Sequence, residues 1–202
     1  SPKETLKRYL SVFDKAGVRP AALVPACYAM QKLADGSPGS DKGIACLVDI
    51  GDQMTDMMIF EGKALAFSRS MPVGGREFTM SMTSALASES GRVQLSFDEA
   101  EKIKRETGIP RQDSAGKISS KISAAQVLSL LYAPLQQLKE EIERCLDYYR
   151  EESGGKAVDS VVLQGRGASL KGLPEFLSRE LGIEVSKLDY ADSAKHIKAL
   201  AE

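Results

Sequence analysis

The 202-residue sequence has no tryptophan, one histidine and three cysteines. Aromatics make up only 6% of it, so a base-stacking platform for nucleic acid gets no support. The one histidine, His196, lies in the C-terminal tail, which leaves no credible Ser/His/Asp or Cys/His catalytic set. Cys27, Cys46 and Cys145 are dispersed and lack metal-ligand spacing. They read as buried, reduced thiols of a reducing compartment rather than a disulfide framework. Formal net charge is −1, so no bulk electrostatic pull toward nucleic acid or acidic lipid is expected. No apolar run approaches the roughly 20 residues that span a bilayer. No basic-then-apolar signal segment opens the chain. The expectation is a soluble protein that meets a membrane only through a partner.

What is present suits a globular core. Hydrophobic content is 43% and charged content 27%, enough for one large domain or two small ones sharing an interface. Pro2 to Ala16 predicts an amphipathic helix, with Leu6, Leu10 and Phe13 at helical steps and Gly17 as a stop. Ala21 to Leu33 is a second helix candidate, disturbed by Pro25. Asp35 to Asp41 is small, polar and turn-rich, the clearest linker. Ile44–Ile50, Thr55–Phe60 and Ala64–Ser70 then read as short strands of an antiparallel meander. A helix is expected from about Glu77 to Ala87, with Phe78, Met82 and Leu86 on one face.

Ser96-Phe-Asp-Glu99 is a capping box, and its helix should stop at Gly108. A long helical region is expected from about Ala124 to Glu152, kinked or restarted at Pro134. Val158–Gln164 reads as a strand entering Gly165-Arg-Gly167. A short helix with Pro174 in its first turn and a last strand at Ile183–Val185 follow.

Three places could carry chemistry. Asp49-Ile-Gly51 ends a strand, with Thr55 just beyond. The carboxylate could hold a hydrated Mg²⁺ that bridges to phosphate, Gly51 permits a turn with amides facing an anion, and Thr55 offers a hydroxyl. The plain alternative is a hairpin with Asp and Gly as turn residues. Gln164-Gly-Arg-Gly-Ala-Ser169 could let backbone approach a ligand at a helix start, or be a plain strand-to-helix turn. Glu101 and Lys104 share a helix face and either pair with each other or clamp a sugar or base. The dense methionines at 54, 57, 58, 71, 80 and 82 read first as core filling.

The order of these motifs resembles the second lobe of the actin-like ATPases, and more closely the FtsA and PilM branch. Leu47-Val-Asp-Ile-Gly with Thr55-Asp56, Phe67 to Gly75, and Phe97 to Lys104 followed by Gly108-Ile-Pro carry the likeness. Glu141 to Tyr149 and Leu163 to Leu173 look like PilM, the type IV pilus assembly protein, rather than FtsA. The resemblance covers roughly Thr5 to Val185 and implies an α/β fold, a mixed sheet flanked by helices with a smaller upper subdomain. By resemblance, residues 1–40 are the tail of a first lobe and linker. Residues 41–84 and 127–202 are the base of the second lobe, and 85–126 its upper subdomain. ATP and Mg²⁺ are the implied cofactors. Asp49 and Thr55 would serve Mg²⁺ and phosphate, with Gly51 in the turn. Glu101 and Lys104 would meet ribose and adenine, and Gly165, Gly167 and Ala168 would pass close to the adenosine.

The implied role is a cytoplasmic scaffold of pilus assembly, docked to the inner membrane through the cytoplasmic tail of a PilN-like protein and contacting other pilus proteins. A working ATPase lobe that drives assembly, or an FtsA-like division protein, are the alternatives. No earlier apolar strand runs into an Asp-x-Gly, so the sequence is expected to be a piece lacking most of the first lobe, with ATP binding weak or absent on its own. Asp52, Gln53 and Arg166 depart from the small residues that relatives carry there.

Overall fold

In the computed structural model, residues 2–25, 27, 30, 43–88, 91–111, 116–119 and 121–188 are described. Helix α1 (Pro2–Lys15) ends where expected, with Gly17 at φ 68°. Residues 21–25 do not form the start of the second helix, consistent with Pro25. The rest of that candidate except Cys27 and Met30, the 35–41 linker and the His196 tail lie outside the described residues.

Strands β1 (Ile44–Ile50), β2 (Thr55–Glu61) and β3 (Ala64–Met71) form the expected antiparallel meander. Strands β1 and β2 are near-continuous apolar runs, which gives both faces of this sheet something to bury. Helix α2 (Gly75–Met82) starts earlier and stops sooner than the spacing predicted. Thr83 closes its last turn, its amide and hydroxyl both donating to the Met80 carbonyl at 3.1 and 2.7 Å. Leu86 therefore leaves the helical face and joins β4 (Leu86–Ser88), which pairs with β5 (Gly91–Val93) in a small ribbon.

Helix α3 (Phe97–Thr107) has the capping box at Ser96 and Glu99, and Gly108 at its end. Helix α4 (Ala124–Glu152) is continuous through the buried Pro134 and opens on a second capping box, Ser123 with Gln126. Strand β6 (Ser160–Gln164), a 3-10 turn (Gly167–Ser169), helix α5 (Leu173–Leu181) and strand β7 (Glu184–Lys187) complete the described chain.

The main sheet is mixed, in the order β3-β2-β1-β6-β7. β1 is its hinge, antiparallel to β2 and parallel to β6. One face carries Cys46, Val48, Ile50, Met57 and Ile59, which join the buried stripe of α4, including Leu131, Leu135, Leu138 and Ile142, in one core. Leu47, Met58 and Phe60 on the other face form a smaller cluster with Leu65, Val162, Cys27 and Met30. Met57, Met58, Met71 and Met82 are buried, as core filling requires, whereas Met54 and Met80 are exposed. The cysteines are free. Cys46 and Cys145 are buried and Cys27 half-buried, and burial pushes the Cys46 and Cys145 thiols up, away from reactivity.

Candidate functional site

Parallel pairing sets Asp49 opposite Gln164, so β1 and β6 end side by side. Open α/β sheets receive ligands outside the carboxyl ends of such strands. Three backbone segments crowd this end: the β1–β2 hairpin, the start of α2 and the turn after β6. The Gly75 amide donates to the Gly51 carbonyl at 2.9 Å and the Arg76 amide to the Asp52 carbonyl at 2.8 Å. A side chain at Gly167 would place its Cβ 2.2 Å from Ile50 Cγ2. At Gly165, with φ +83°, a Cβ would fall 2.3 Å from Asp49 Oδ1 and 2.5 Å from the Ile50 carbonyl oxygen. These glycines are thus explained by close packing on β1.

Asp49 is half-buried and stands across the strand pair from Asp56. Burial pushes its carboxyl up and Asp56 adds to this, against a hydrogen bond from the Gln164 side chain that lowers it. Asp56 accepts from the Ser70 hydroxyl. Gln164 is buried, its amide nitrogen donating to the Met30 sulfur at 2.7 Å. Its Oε1 has no hydrogen-bond partner among the described residues. Asp49 and Asp56 line two cavities. One, of about 390 Å³, is bordered by Gly51, Asp52, Gln53 and Met54. The other, of about 380 Å³, reaches Cys27, Met30, Arg69 and Ser70.

The Thr55 hydroxyl does not face this space, a correction to its expected role. Thr55 is fully buried and donates to the Val73 carbonyl at 2.7 Å, because the β2 register turns it into the core. Ala168 is buried as well, so only its backbone could border a ligand.

Glu101 and Lys104 lie on α3 facing α2 and form an ion pair at 2.6 Å. The fully buried Thr79 joins them, accepting from Lys104 Nζ at 2.7 Å and donating to Glu101 Oε2 at 2.6 Å. Lys104 also donates to the Gly75 carbonyl at 3.1 Å, and Arg105 to Glu101 Oε1 at 2.7 Å. Burial pushes the Glu101 carboxyl up, but hydrogen bonds from Lys104, Thr79 and Arg105 outweigh it and hold the group at about 2. Sequence reasoning missed Thr79, and it read Gln164 only as part of the glycine turn and not as a side chain beside Asp49. A hydroxyl beside Phe78 in the apolar stripe of α2 was the available signal for Thr79.

A family model described as Type IV pilus assembly protein PilM matches residues 1–201. Cell shape-determining protein MreB of Pasteurella multocida (strain Pm70) is 25% identical over 156 residues, 69% of this chain and 44% of that protein. Cell division protein FtsA of Helicobacter pylori (strain J99) is 23% identical over 184 residues, 86% of this chain and 36% of that one. The chain thus spans less than half the length of these relatives. Among solved structures, a PilM-PilN type IV pilus biogenesis complex superimposes with a TM-score of 0.70 at 21% identity, over 95% of this chain and 49% of that one. MreB5 of Spiroplasma citri bound to AMPPNP also gives 0.70, at 16% identity, over 96% of this chain and 64% of that one. The fold is α/β and actin-like. With the family model matching almost end to end, the chain belongs to the type IV pilus assembly protein PilM family.

Proposed function

We propose that this chain is the second lobe of an actin-like scaffold of pilus assembly, completing a Mg-nucleotide site only together with a first lobe. The parallel register of Asp49 with Gln164 carries the reading, because it sets a carboxylate beside the glycine turn at one strand end. The residues at the Asp49 end fit a hard divalent cation with phosphate. Asp49, Asp56 and the unpartnered Gln164 Oε1 are oxygen donors of the kind such an ion takes. A bound cation would supply the positive charge that lets carboxylate and phosphate oxygens share a site. Asp49 would orient it, while Gly51 keeps the hairpin tight.

The other end is set differently. Glu101 and Lys104, proposed for ribose and adenine, are spent on each other, on Thr79 and on the Gly75 carbonyl. A nucleotide would have to compete with those bonds, which supports weak binding by this lobe alone. Gly165, Gly167 and the Ala168 backbone would border the adenosine beside the exposed Arg166. Residues 85–126 would act as the upper subdomain and the rest of the lobe as its base.

The proposed partner is the cytoplasmic tail of a PilN-like inner-membrane protein, which would bring this chain to the membrane. The likeness to a PilM-PilN complex supports this, and no described helix is long and apolar enough to cross a bilayer. Calorimetric titration of the chain with Mg-ATP tests the nucleotide reading. Low-micromolar binding by this chain alone would overturn the claim that one lobe is insufficient. In the longer protein, binding unaffected by Asp49→Ala would remove Asp49 from the site.

A further inference from the structure

Lys104 Nζ donates to Thr79 Oγ1 at 2.7 Å and to the Gly75 carbonyl at 3.1 Å, and it pairs with Glu101 Oε2 at 2.6 Å. The Gly75 carbonyl belongs to the same planar peptide unit as the Arg76 amide. That amide is the one that donates to the Asp52 carbonyl at 2.8 Å, in the loop beyond Asp49. One rigid peptide therefore takes a charge-assisted hydrogen bond on its oxygen and gives a hydrogen bond from its nitrogen. Accepting from an ammonium polarises the peptide and strengthens what its N–H donates.

The opposite end of α3 is also held. The Ile109 amide donates to the Lys171 carbonyl at 2.8 Å and Lys171 Nζ to the Glu106 carbonyl at 2.7 Å. A swing of α3 that kept Lys104 in place would break these bonds, so the α3 end of the relay is fixed.

We propose that Thr79 is a positioning residue for the Asp49 hairpin. Its hydroxyl seats Lys104 on the Gly75 carbonyl, and the 75–76 peptide transmits that seating to the hairpin loop. A ligand hydroxyl that draws Lys104 or Glu101 away then loosens the loop at the other end of the site. This consequence rests on the proposed nucleotide reading; the relay itself does not.

Amide hydrogen exchange in the nucleotide-free chain reads the relay directly. Thr79→Val keeps the side-chain volume and deletes the hydroxyl, and Thr79→Ser restores it. In Thr79→Val and in Lys104→Met, the Gly75 and Arg76 amides should exchange about tenfold faster, with Leu138 and Ile142 of α4 unchanged. Thr79→Ser should return both amides to the wild-type rate. Unchanged exchange at Arg76 in Thr79→Val overturns the proposal. So does an acceleration shared equally by α4, or a failure of serine to rescue. No nucleotide is present, so a failure here is distinct from a failure to bind Mg-ATP.

Discussion

The two ends of the candidate site are satisfied to different degrees. At the α2–α3 end, Glu101, Lys104 and Thr79 complete one another, and the Glu101 carboxyl is held at about 2. At the strand end, Asp49 is desolvated, faces Asp56 and sits beside an orphaned amide oxygen. A buried polar group without a partner costs stability, while a completed network returns it. The first end brings its own ligands. The second carries an uncompensated cost among the described residues.

The largest effect should come from breaking the packing beneath the strand end. Gly167→Ala drives a methyl into Ile50, and a loss of about 3 kcal/mol in chemical denaturation is expected. A loss near zero would mean that the turn after β6 moves freely and that the ends are not rigidly joined.

Next is Glu101→Gln, expected to cost about 1.5 kcal/mol at neutral pH. Its pH dependence sharpens the contrast. Glu101 is lowered from 4.5 to about 2, so its stabilisation is full above 4.5 and is lost as pH falls from 4.5 toward 2. Asp49 is raised above 3.8, so its penalty is full above its folded value, eases as pH falls through that value and is gone below 3.8. Acid denaturation of the wild type should therefore show the Glu101 loss partly masked by Asp49 relief. Glu101→Gln should remove the loss, and a variant as acid-sensitive as the wild type would contradict the assignment.

The smallest effect, of opposite sign, is Asp49→Asn. It removes the desolvated charge and should slightly raise the midpoint of thermal unfolding without ligand. Its acid loss should be steeper than that of the wild type, because the relief is gone. Destabilisation would show that the Asp49 charge already has a sufficient partner.

Much of this was legible in the chain. Two apolar runs split by a turn in Ile44–Phe60, and the Ser96 capping box, wrote the meander and the start of α3 locally. The β4–β5 ribbon was not legible, since strands of three residues are too short to show alternation, and Leu86 continued the spacing of Phe78 and Met82. Asp49 could be found from its own neighbours. Its surroundings could not, because Gln164 reaches it only through parallel pairing of distant strands. The direction of the Thr55 side chain is not legible locally, because a hydroxyl after a turn suits an anion as well as it suits the Val73 carbonyl. Glu101 and Lys104 announced their pairing by spacing, but their third member lay on another helix.

The join of β1 to β6 also has a consequence in time. The Ile44 amide donates to the Asp159 carboxylate at 2.7 Å across 115 residues of sequence. Closing so long a loop is slow relative to forming a local hairpin. A chain leaving the ribosome can pair β1, β2 and β3 and even wind α4 while β6 is still unmade. Asp49 then waits without Gln164, and the site is among the last parts of the molecule to exist.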